Sequence, residues 1–254
     1  MYIFLSNFSL MEIGCTTIIV PKMLTDLLNS KEGISFQGCL TQFYFILFSG
    51  SMENILLAMM GYDRYLAICN PLRYSSIMTH NLCYHMAFGS WITSFLMPLI
   101  PTIFVSKLHF CNKRGIDHFF CDFGPLVKLS CSDTSTAANT FFGQAWILIL
   151  SCSTVTLVSY SYIIATIVKI PTSNGRQKAF NTCASHLTVV GIFYGTLIFM
   201  YVRPSEVNTS HLDKILSVFY SVVTPLLNPI IYSLRNANIK IALKNILQRK
   251  WDNI

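Results

Sequence analysis

Charged and acidic side chains inside long apolar stretches are the residues of this sequence that could do chemistry. Glu12 and Glu53 lie within such stretches, and Asp63 and Arg64 close one of them. Burying an isolated charge is expensive, so each of these groups must protonate, pair or bind an ion. Asp63 can pair with the planar, permanently charged guanidinium of Arg64. For the two glutamates, a site for Na⁺ and a pair of protonated, hydrogen-bonded acids both stay open.

The sequence contains no arrangement typical of catalysis or of nucleic-acid binding. There is no nucleophile beside a base, no phosphate-binding loop and no metal-ligand motif, so neither an enzyme nor a cofactor is expected. The formal net charge of +7 could indicate a nucleic-acid partner. However, the excess cations lie beside apolar segments, where they set membrane orientation instead. We therefore expect the lipid bilayer, and no nucleic acid, as a partner.

Composition and hydropathy predict an all-α membrane protein. Of the 254 residues, 53% are hydrophobic and 11% are charged, whereas soluble domains have about 25% charged residues. A membrane helix needs about 20 mostly apolar residues. We expect one transmembrane domain over residues 1–254 that ends in a cytoplasmic tail helix over 235–254. Six spans are predicted, roughly 2–28, 37–63, 84–105, 138–168, 183–202 and 212–234, the third of them broken by Pro98 and Pro101.

The distribution of Lys and Arg predicts the orientation of these spans. One set of loops and ends, which includes Arg64, carries ten Lys and Arg residues against two acids. The other set carries eight against seven. Because cytoplasmic loops are enriched in Lys and Arg, the Arg64 side is expected to face the cytosol. Six crossings then place both ends of the chain on that side.

Several motifs resemble those of one receptor family in order and spacing. Met60-Gly-Tyr-Asp-Arg-Tyr-Leu-Ala-Ile-Cys-Asn-Pro-Leu-Arg-Tyr74 is similar to the cytoplasmic end of the third helix of the olfactory (odorant) receptors. These are rhodopsin-like G-protein-coupled receptors. Lys178-Ala-Phe-Asn-Thr-Cys-Ala-Ser-His-Leu187 resembles the start of their sixth helix, and Pro225-Leu-Leu-Asn-Pro-Ile-Ile-Tyr-Ser-Leu-Arg-Asn236 resembles their seventh. The resemblance covers residues 1–247 and favours the tetrapod-type class.

The resemblance implies a rhodopsin-like seven-helix bundle in which helices two to seven are present as six spans. Met1 matches a methionine that is internal in the family, so the N-terminal tail and the first helix are expected to be missing. The implied function is to bind a small volatile odorant and to activate a heterotrimeric stimulatory olfactory G protein. The implied location is the plasma membrane, although the chain as written is expected to be largely retained in the endoplasmic reticulum.

The resemblance also assigns residues to a G-protein switch and to a core polar pocket. In the switch, the Asp63–Arg64 pair holds an inactive arrangement, and opening of the sixth helix frees Arg64 to meet the G protein beside tyrosine hydroxyls. The switch residues are Asp63, Arg64, Tyr65, Tyr160, Asn228, Pro229 and Tyr232. The core polar pocket consists of Glu12, Glu53 and Asn228.

A ligand pocket is expected toward the outer side of the bundle. Spacing of i, i+1, i+4 and i+5 places Ile46, Leu47, Gly50 and Ser51 on one helical face. Side chains of the fifth and sixth helices could close a mainly apolar cavity with a few polar groups, which is the usual composition of a small-molecule site. These additional residues are Gln144, Leu148, Tyr194, Leu197, Ile198 and Tyr201.

Four cysteines are expected on the outer side, and counting alone allows three disulfide pairings. They are Cys39, Cys111, Cys121 and Cys131. A metal site is an alternative, because His109 and His118 lie close in sequence to two of these cysteines. The resemblance favours the pairs Cys39–Cys121 and Cys111–Cys131, with no metal.

Two functional alternatives accompany the receptor hypothesis. A truncated or pseudogene-derived receptor fragment would have the same motifs but no signalling activity. A transporter or channel would show inverted repeats or rings of charged pore residues, and the sequence shows neither.

Overall fold

The structure is a computed structural model, and it describes residues 1–28, 33–111, 116, 118–201, 218 and 224. Within these residues the architecture is helical, with a single isolated β-bridge between Phe110 and Ser130. The described helices are α1 (Tyr2–Leu28), α2 (Phe36–Cys69), α3 (Pro71–Ile77), α4 (His80–Leu96), α5 (Leu99–Ser106), α6 (Phe123–Leu129), α7 (Ser135–Val168) and α8 (Ser173–Tyr201).

Four helical segments in the described part of the chain are long and apolar enough to cross a membrane. They are Tyr2–Asp26, Phe36–Cys69, His80–Ser106 and Ser135–Val168, and α8 adds a shorter apolar stretch, His186–Leu197. Large side chains such as Ile13, Phe88, Ile147 and Leu157 are exposed on their outer faces. Such side chains suit contact with lipid, so four of the predicted membrane helices are present in this region. The predicted span 212–234 and the tail helix 235–254 lie outside the described residues, apart from 218 and 224.

The helix of the second span extends beyond the predicted span. The sequence predicts that the span ends at residue 63, and α2 continues to Cys69. The following segment explains where the helix stops. Asn70 precedes Pro71, and the residue before a proline avoids the α conformation; Asn70 has φ −131° and ψ 53°. Pro71 then occupies the first turn of α3, a position that needs no N–H donor.

The predicted break in the third span is also present. The segment from His80 to Ser106 is divided between α4 and α5 at Met97 and Pro98. In a regular helix the Met97 carbonyl would accept a hydrogen bond from residue 101, but Pro101 has no N–H. The break therefore leaves a backbone carbonyl that needs another donor.

Helix α2 occupies the centre of the bundle and contacts α1, α4, α5, α7 and α8. One hydrophobic cluster joins α1, α2 and α8 through side chains that include Phe8, Met52, Leu56 and Phe193. A second cluster, at the end of α2 that contains Cys39, joins α2 to α5, α6 and α7. Because neighbours surround α2, its polar residues are buried and must find partners inside the protein.

Candidate functional site

A cavity of about 1030 Å³, including its open mouth, lies between α1, α2, the α4–α5 break and α7, toward the Cys39 end of α2. It is mainly apolar, and its polar groups come from a few separate positions. The lining residues are Cys15, Ile19, Ile46, Leu47, Ser49, Gly50, Ser51, Glu53, Asn54, Met97, Pro98, Pro101, Phe120, Asp122, Phe141, Gln144, Ala145, Leu148, Ile149 and Leu197.

Most residues of the expected ligand pocket line this cavity. The predicted face of α2 contributes Ile46, Leu47, Gly50 and Ser51, as expected from helical spacing. Gln144 and Leu148 of α7 and Leu197 of α8 also lie on its wall.

Three other predicted pocket residues behave differently. Tyr194 is absent from the cavity lining and packs instead against the cluster of α1, α2 and α8. Its ring meets that of Phe193 edge-on, with centroids 5.3 Å apart. The side chains of Ile198 and Tyr201 lie outside the described part of the structure.

Sequence reasoning did not include the walls contributed by α1, the α4–α5 break and the loop before α6. Cys15 and Ile19 come from α1, and Met97 and Pro98 come from the break. Proline pairs in the third span predict a break but do not indicate which neighbour it faces. The spacing of residues within α2 therefore predicted one wall, whereas the other walls depend on tertiary packing.

Two disulfides place the loop between α5 and α7. Cys39 is joined to Cys121 and Cys111 to Cys131, which is the pairing that the resemblance implied. The Cys121 N–H also donates to Gln42 Oε1 at 3.0 Å. Together these contacts hold the neighbouring Phe120 and Asp122 at the cavity.

A metal site near these cysteines would lack sulfur ligands, because the disulfides use the sulfur atoms that would bind the metal. Cys111 and Cys121 are both in disulfides, and a metal-binding cysteine must be a free thiolate. The Nδ1 atom of His118 lies 3.0 Å from the Phe120 carbonyl oxygen. No group of three metal-ligating side chains occurs among the residues that the structure describes.

Asp122 brings a carboxyl group to the cavity from the loop. It precedes α6, and its Oδ1 atom accepts a hydrogen bond of 2.8 Å from the N–H of Phe123. Burial raises the pKa of Asp122, while the Phe123 N–H and the charge of His118 act in the opposite direction. A polar ligand group near Asp122 would thus meet a carboxyl that is poorly solvated.

At the other end of α2, Asp63 and Arg64 form an ion pair. Arg64 Nη2 lies 2.5 Å from Asp63 Oδ2, and the Tyr74 hydroxyl donates to Asp63 Oδ1 at 2.9 Å. The backbone nitrogen of Met1 is 3.1 Å from the same oxygen. The Asp63 side chain is fully buried, whereas that of Arg64 is 12% exposed. Arg64 is thus held by an acid that is itself fixed in place.

The tyrosines around this ion pair connect it to α3 and α7. Burial and then the adjacent Asp63 carboxylate raise the pKa of Tyr74 to about 12. Tyr74 therefore keeps its proton at neutral pH and remains a donor to Asp63. The ring of Tyr65 packs against that of Tyr162 with centroids 5.7 Å apart.

Tyr160 pairs with a histidine that sequence reasoning did not single out. The Tyr160 hydroxyl lies 2.6 Å from Nδ1 of His186, and His186 Nε2 lies 3.1 Å from the Leu57 carbonyl oxygen. Because a carbonyl only accepts, Nε2 carries the proton and Nδ1 accepts from Tyr160. His186 therefore links α2, α7 and α8. Its place in the Lys178–Leu187 motif was the signal that could have identified it.

The acids of the expected core polar pocket are both buried. Glu12 of α1 is 2% exposed and Glu53 of α2 is 5% exposed. Glu53 also contributes to the cavity wall, together with Cys15 of α1. Asn228, Pro229 and Tyr232, which the resemblance assigned to the pocket or the switch, lie outside the described residues.

Comparison with known proteins shows consistent similarity over nearly the whole chain. The family model described as "Olfactory receptor" matches residues 1–250. Olfactory receptor 287 of Rattus norvegicus is 49% identical over 250 residues, which cover 98% of this chain and 80% of that protein. Olfactory receptor 6Y1 of Homo sapiens is 48% identical over 247 residues, which cover 97% and 76% of the two chains.

The fold resembles that of a solved receptor. A crystal structure of squid rhodopsin superposes with a TM-score of 0.67 over 95% of this chain and 70% of the rhodopsin chain. The sequences are 18% identical, so this similarity concerns the fold alone. It identifies the arrangement of α1 to α8 as a rhodopsin-like helical bundle.

Proposed function

Because the chain belongs to the olfactory receptor family, a family of membrane receptors and not of enzymes, we propose that its cavity binds a small volatile odorant. We further propose that binding activates a stimulatory olfactory G protein at the Arg64 end of α2. The observation that carries this proposal is the presence of both sites on one helix. Seven residues between Ile46 and Asn54 line the cavity, and Asp63 and Arg64 follow nine to ten residues after Asn54.

The cavity has the properties that an odorant site needs. Its walls are mostly Ile, Leu, Met, Pro and Phe side chains, which favour the binding of an apolar molecule by removing its surface from water. A few polar groups at fixed positions can orient the ligand. The Cys39–Cys121 disulfide holds Phe120 and Asp122 of the loop at the cavity wall, so the loop would cover part of a bound ligand.

The Arg64 end has the properties of a switch in its closed arrangement. Arg64 is paired with Asp63, and Tyr160 is paired with His186 of α8. An outward movement of α8 would separate Tyr160 from His186 and give its hydroxyl a new partner in Arg64. A ligand drives such a change only if it binds the open arrangement more tightly. We propose that closure of the cavity around the odorant supplies this difference.

The location of the charges supports a partner on the Arg64 side of the membrane. Arg73 in α3, Lys169 after α7 and Arg176 in α8 lie with Arg64 on the side of the bundle that we assign to the cytosol. We propose a plasma-membrane receptor with this face toward the G protein. A G protein would then meet a basic surface, from which Arg64 becomes available when the bundle opens.

Replacement of Arg64 tests the signalling role. Arg64→Ala should abolish odorant-driven accumulation of cAMP while the surface level changes little, because Arg64 bears on partner binding more than on helix packing. Lys107→Ala is a matched control, since it removes an exposed cation at the opposite end of the bundle. cAMP is measured in cells at equal surface expression. Normal signalling by Arg64→Ala would refute the proposed switch.

A further inference from the structure

The amide of Gln144 is fixed with its oxygen unpaired. Its Nε2 atom donates to the Met97 carbonyl at 2.5 Å, and Met97 is the residue whose helical donor is missing at Pro101. A carbonyl can only accept, so the NH₂ group must point toward Met97 and the orientation of the amide is determined. Within the described part of the chain, Gln144 Oε1 is buried without a hydrogen-bond partner. The cavity wall therefore includes an acceptor in need of a donor.

Asn54 repeats this arrangement on the facing helix. Its Nδ2 atom donates to the Gly50 carbonyl at 2.9 Å, which again fixes the orientation of the amide. Its Oδ1 atom is buried and has no partner among the described residues. Asn54 and Gln144 both line the cavity, so two helices contribute to its wall a residue with a buried, unsatisfied acceptor. Leaving such acceptors buried is unfavourable, and a ligand with a donor removes the penalty.

The acidic side chains around the cavity also favour ligands that carry a hydrogen-bond donor. Glu53 and Asp122 are among its lining residues, while Lys, Arg and His are absent from the lining that the structure describes. A ligand carboxylate would meet acids and amide oxygens without a compensating cation. A hydroxyl or amino group would meet acceptors. The chemistry of the wall thus discriminates between ligands that have the same carbon skeleton.

We propose that this receptor recognises ligands that carry an O–H or N–H donor on an apolar body, and that it rejects the corresponding carboxylic acids and ethers. This inference rests on the proposed function, because it names the ligand class of the same cavity. The shared requirement is a hydrogen-bond donor, which alcohols, phenols and amines each supply. Gln144 Oε1 and Asn54 Oδ1 are the two acceptors that this donor would satisfy.

Direct binding tests this inference without a G protein. The purified receptor in lipid nanodiscs is titrated with alcohols, phenols and amines of odorant size, each paired with its methyl ether or N,N-dimethyl derivative and with the carboxylic acid of the same skeleton. One neutral hydrogen bond to a buried acceptor should favour the donor by about tenfold in Kd. Equal affinity for the ethers, tighter binding of the acids, or no binding by any donor would overturn the inference. Comparison of the alcohol and amine series shows which donor is preferred.

Variants of Gln144 assign the preference to a residue. Gln144→Leu should clearly reduce the tenfold preference, because it removes the acceptor Oε1 while Asn54 remains. Gln37→Leu makes the same chemical change at an exposed position of α2 and should leave the preference unaltered. If Gln144→Leu does not fold, the ratio of Kd values for ethers and donors, measured with the unmodified receptor, still tests the proposed donor preference. A receptor that prefers donors but does not raise cAMP would retain this inference and contradict the signalling proposal.

Discussion

Several buried side chains in this protein are held by hydrogen bonds or ion pairs that also restrict how these side chains can move. Asp63 is fully buried and is bound by Arg64 and Tyr74. His186 is fixed between Tyr160 and the Leu57 carbonyl. Each of these contacts joins different helices or helix ends, except that between the neighbours Asp63 and Arg64. A movement of one helix would therefore change several hydrogen bonds at the same time, which favours two discrete arrangements over a continuous range.

Gly50 gives a prediction at the residue scale. Gly50→Phe should block or shift the odorant response without loss of surface expression, because Gly50 lines the cavity and a phenyl group would fill space that the ligand needs. We expect at least a tenfold rise in the odorant concentration for half-maximal response, since overpacking costs about 1–3 kcal/mol. The readout is the dose–response curve for cAMP.

Gly143→Phe is the matched control for this change. Gly143 lies on the exposed face of α7, and a Cβ atom added there meets nothing within 4 Å. An unchanged dose–response curve for Gly50→Phe would show that this face of α2 does not contact the ligand.

Helices and loops differ in how far their positions follow from the sequence. Ile46, Leu47, Gly50 and Ser51 could be predicted together because spacing within one helix fixes their common face. Asp122 could not, since its position depends on a disulfide and on the path of a loop. His186 was overlooked because its role arises from Tyr160 on another helix and Leu57 on a third. Hydropathy predicts the apolar part of α2 to residue 63, whereas the helix itself continues to Cys69, just before Asn70 and Pro71.

The Cys39–Cys121 disulfide gives a prediction at the scale of elements. The double change Cys39→Ser and Cys121→Ser should lower the affinity for odorant and lower the unfolding free energy by roughly 2–4 kcal/mol. The reason is that this bond connects α2 to the loop that holds Phe120 and Asp122 at the cavity. Ligand binding and thermal unfolding in nanodiscs measure the two effects.

The second disulfide provides the comparison. Cys111→Ser with Cys131→Ser opens a link of 20 residues within the loop, whereas the first link closes 82 residues. The affinity for odorant should fall less, because the contact between loop and α2 remains. Peptide mapping without reductant should recover the 39–121 link from the unmodified protein. Free thiols at Cys39 and Cys121 would contradict this disulfide.

At the scale of the whole molecule, charge asymmetry and helix length together define how the bundle sits in a membrane. The described spans each exceed the length needed to cross the hydrocarbon layer. Exposed apolar side chains cover their outer faces, while polar residues such as Glu53, Asn54 and Asp63 are buried on α2. The protein is therefore stabilised in lipid by an arrangement that would expose a large apolar surface in water.

The orientation can be tested by labelling thiols. Lys107→Cys should react in intact cells with a maleimide that does not cross membranes, and Arg176→Cys should react only after permeabilisation. The excess of Lys and Arg on the Arg176 side is the reason. The unmodified chain is the control, because the cysteines assigned to the outer side are in disulfides. The reverse labelling pattern would refute the proposed topology.

The equal lengths of α2 and α7 make the thickness of the membrane relevant to this receptor. Each has 34 residues, which corresponds to about 51 Å, compared with a hydrocarbon layer of about 30 Å. Their last turns remain together, since Cys69 Sγ lies 3.2 Å from Thr166 Oγ1. The two helices must therefore tilt or project from the bilayer as a pair, and a thinner bilayer increases the mismatch for both. Lipid composition thus adds a modest mechanical bias to the angle between the Arg64 end of the bundle and the membrane surface.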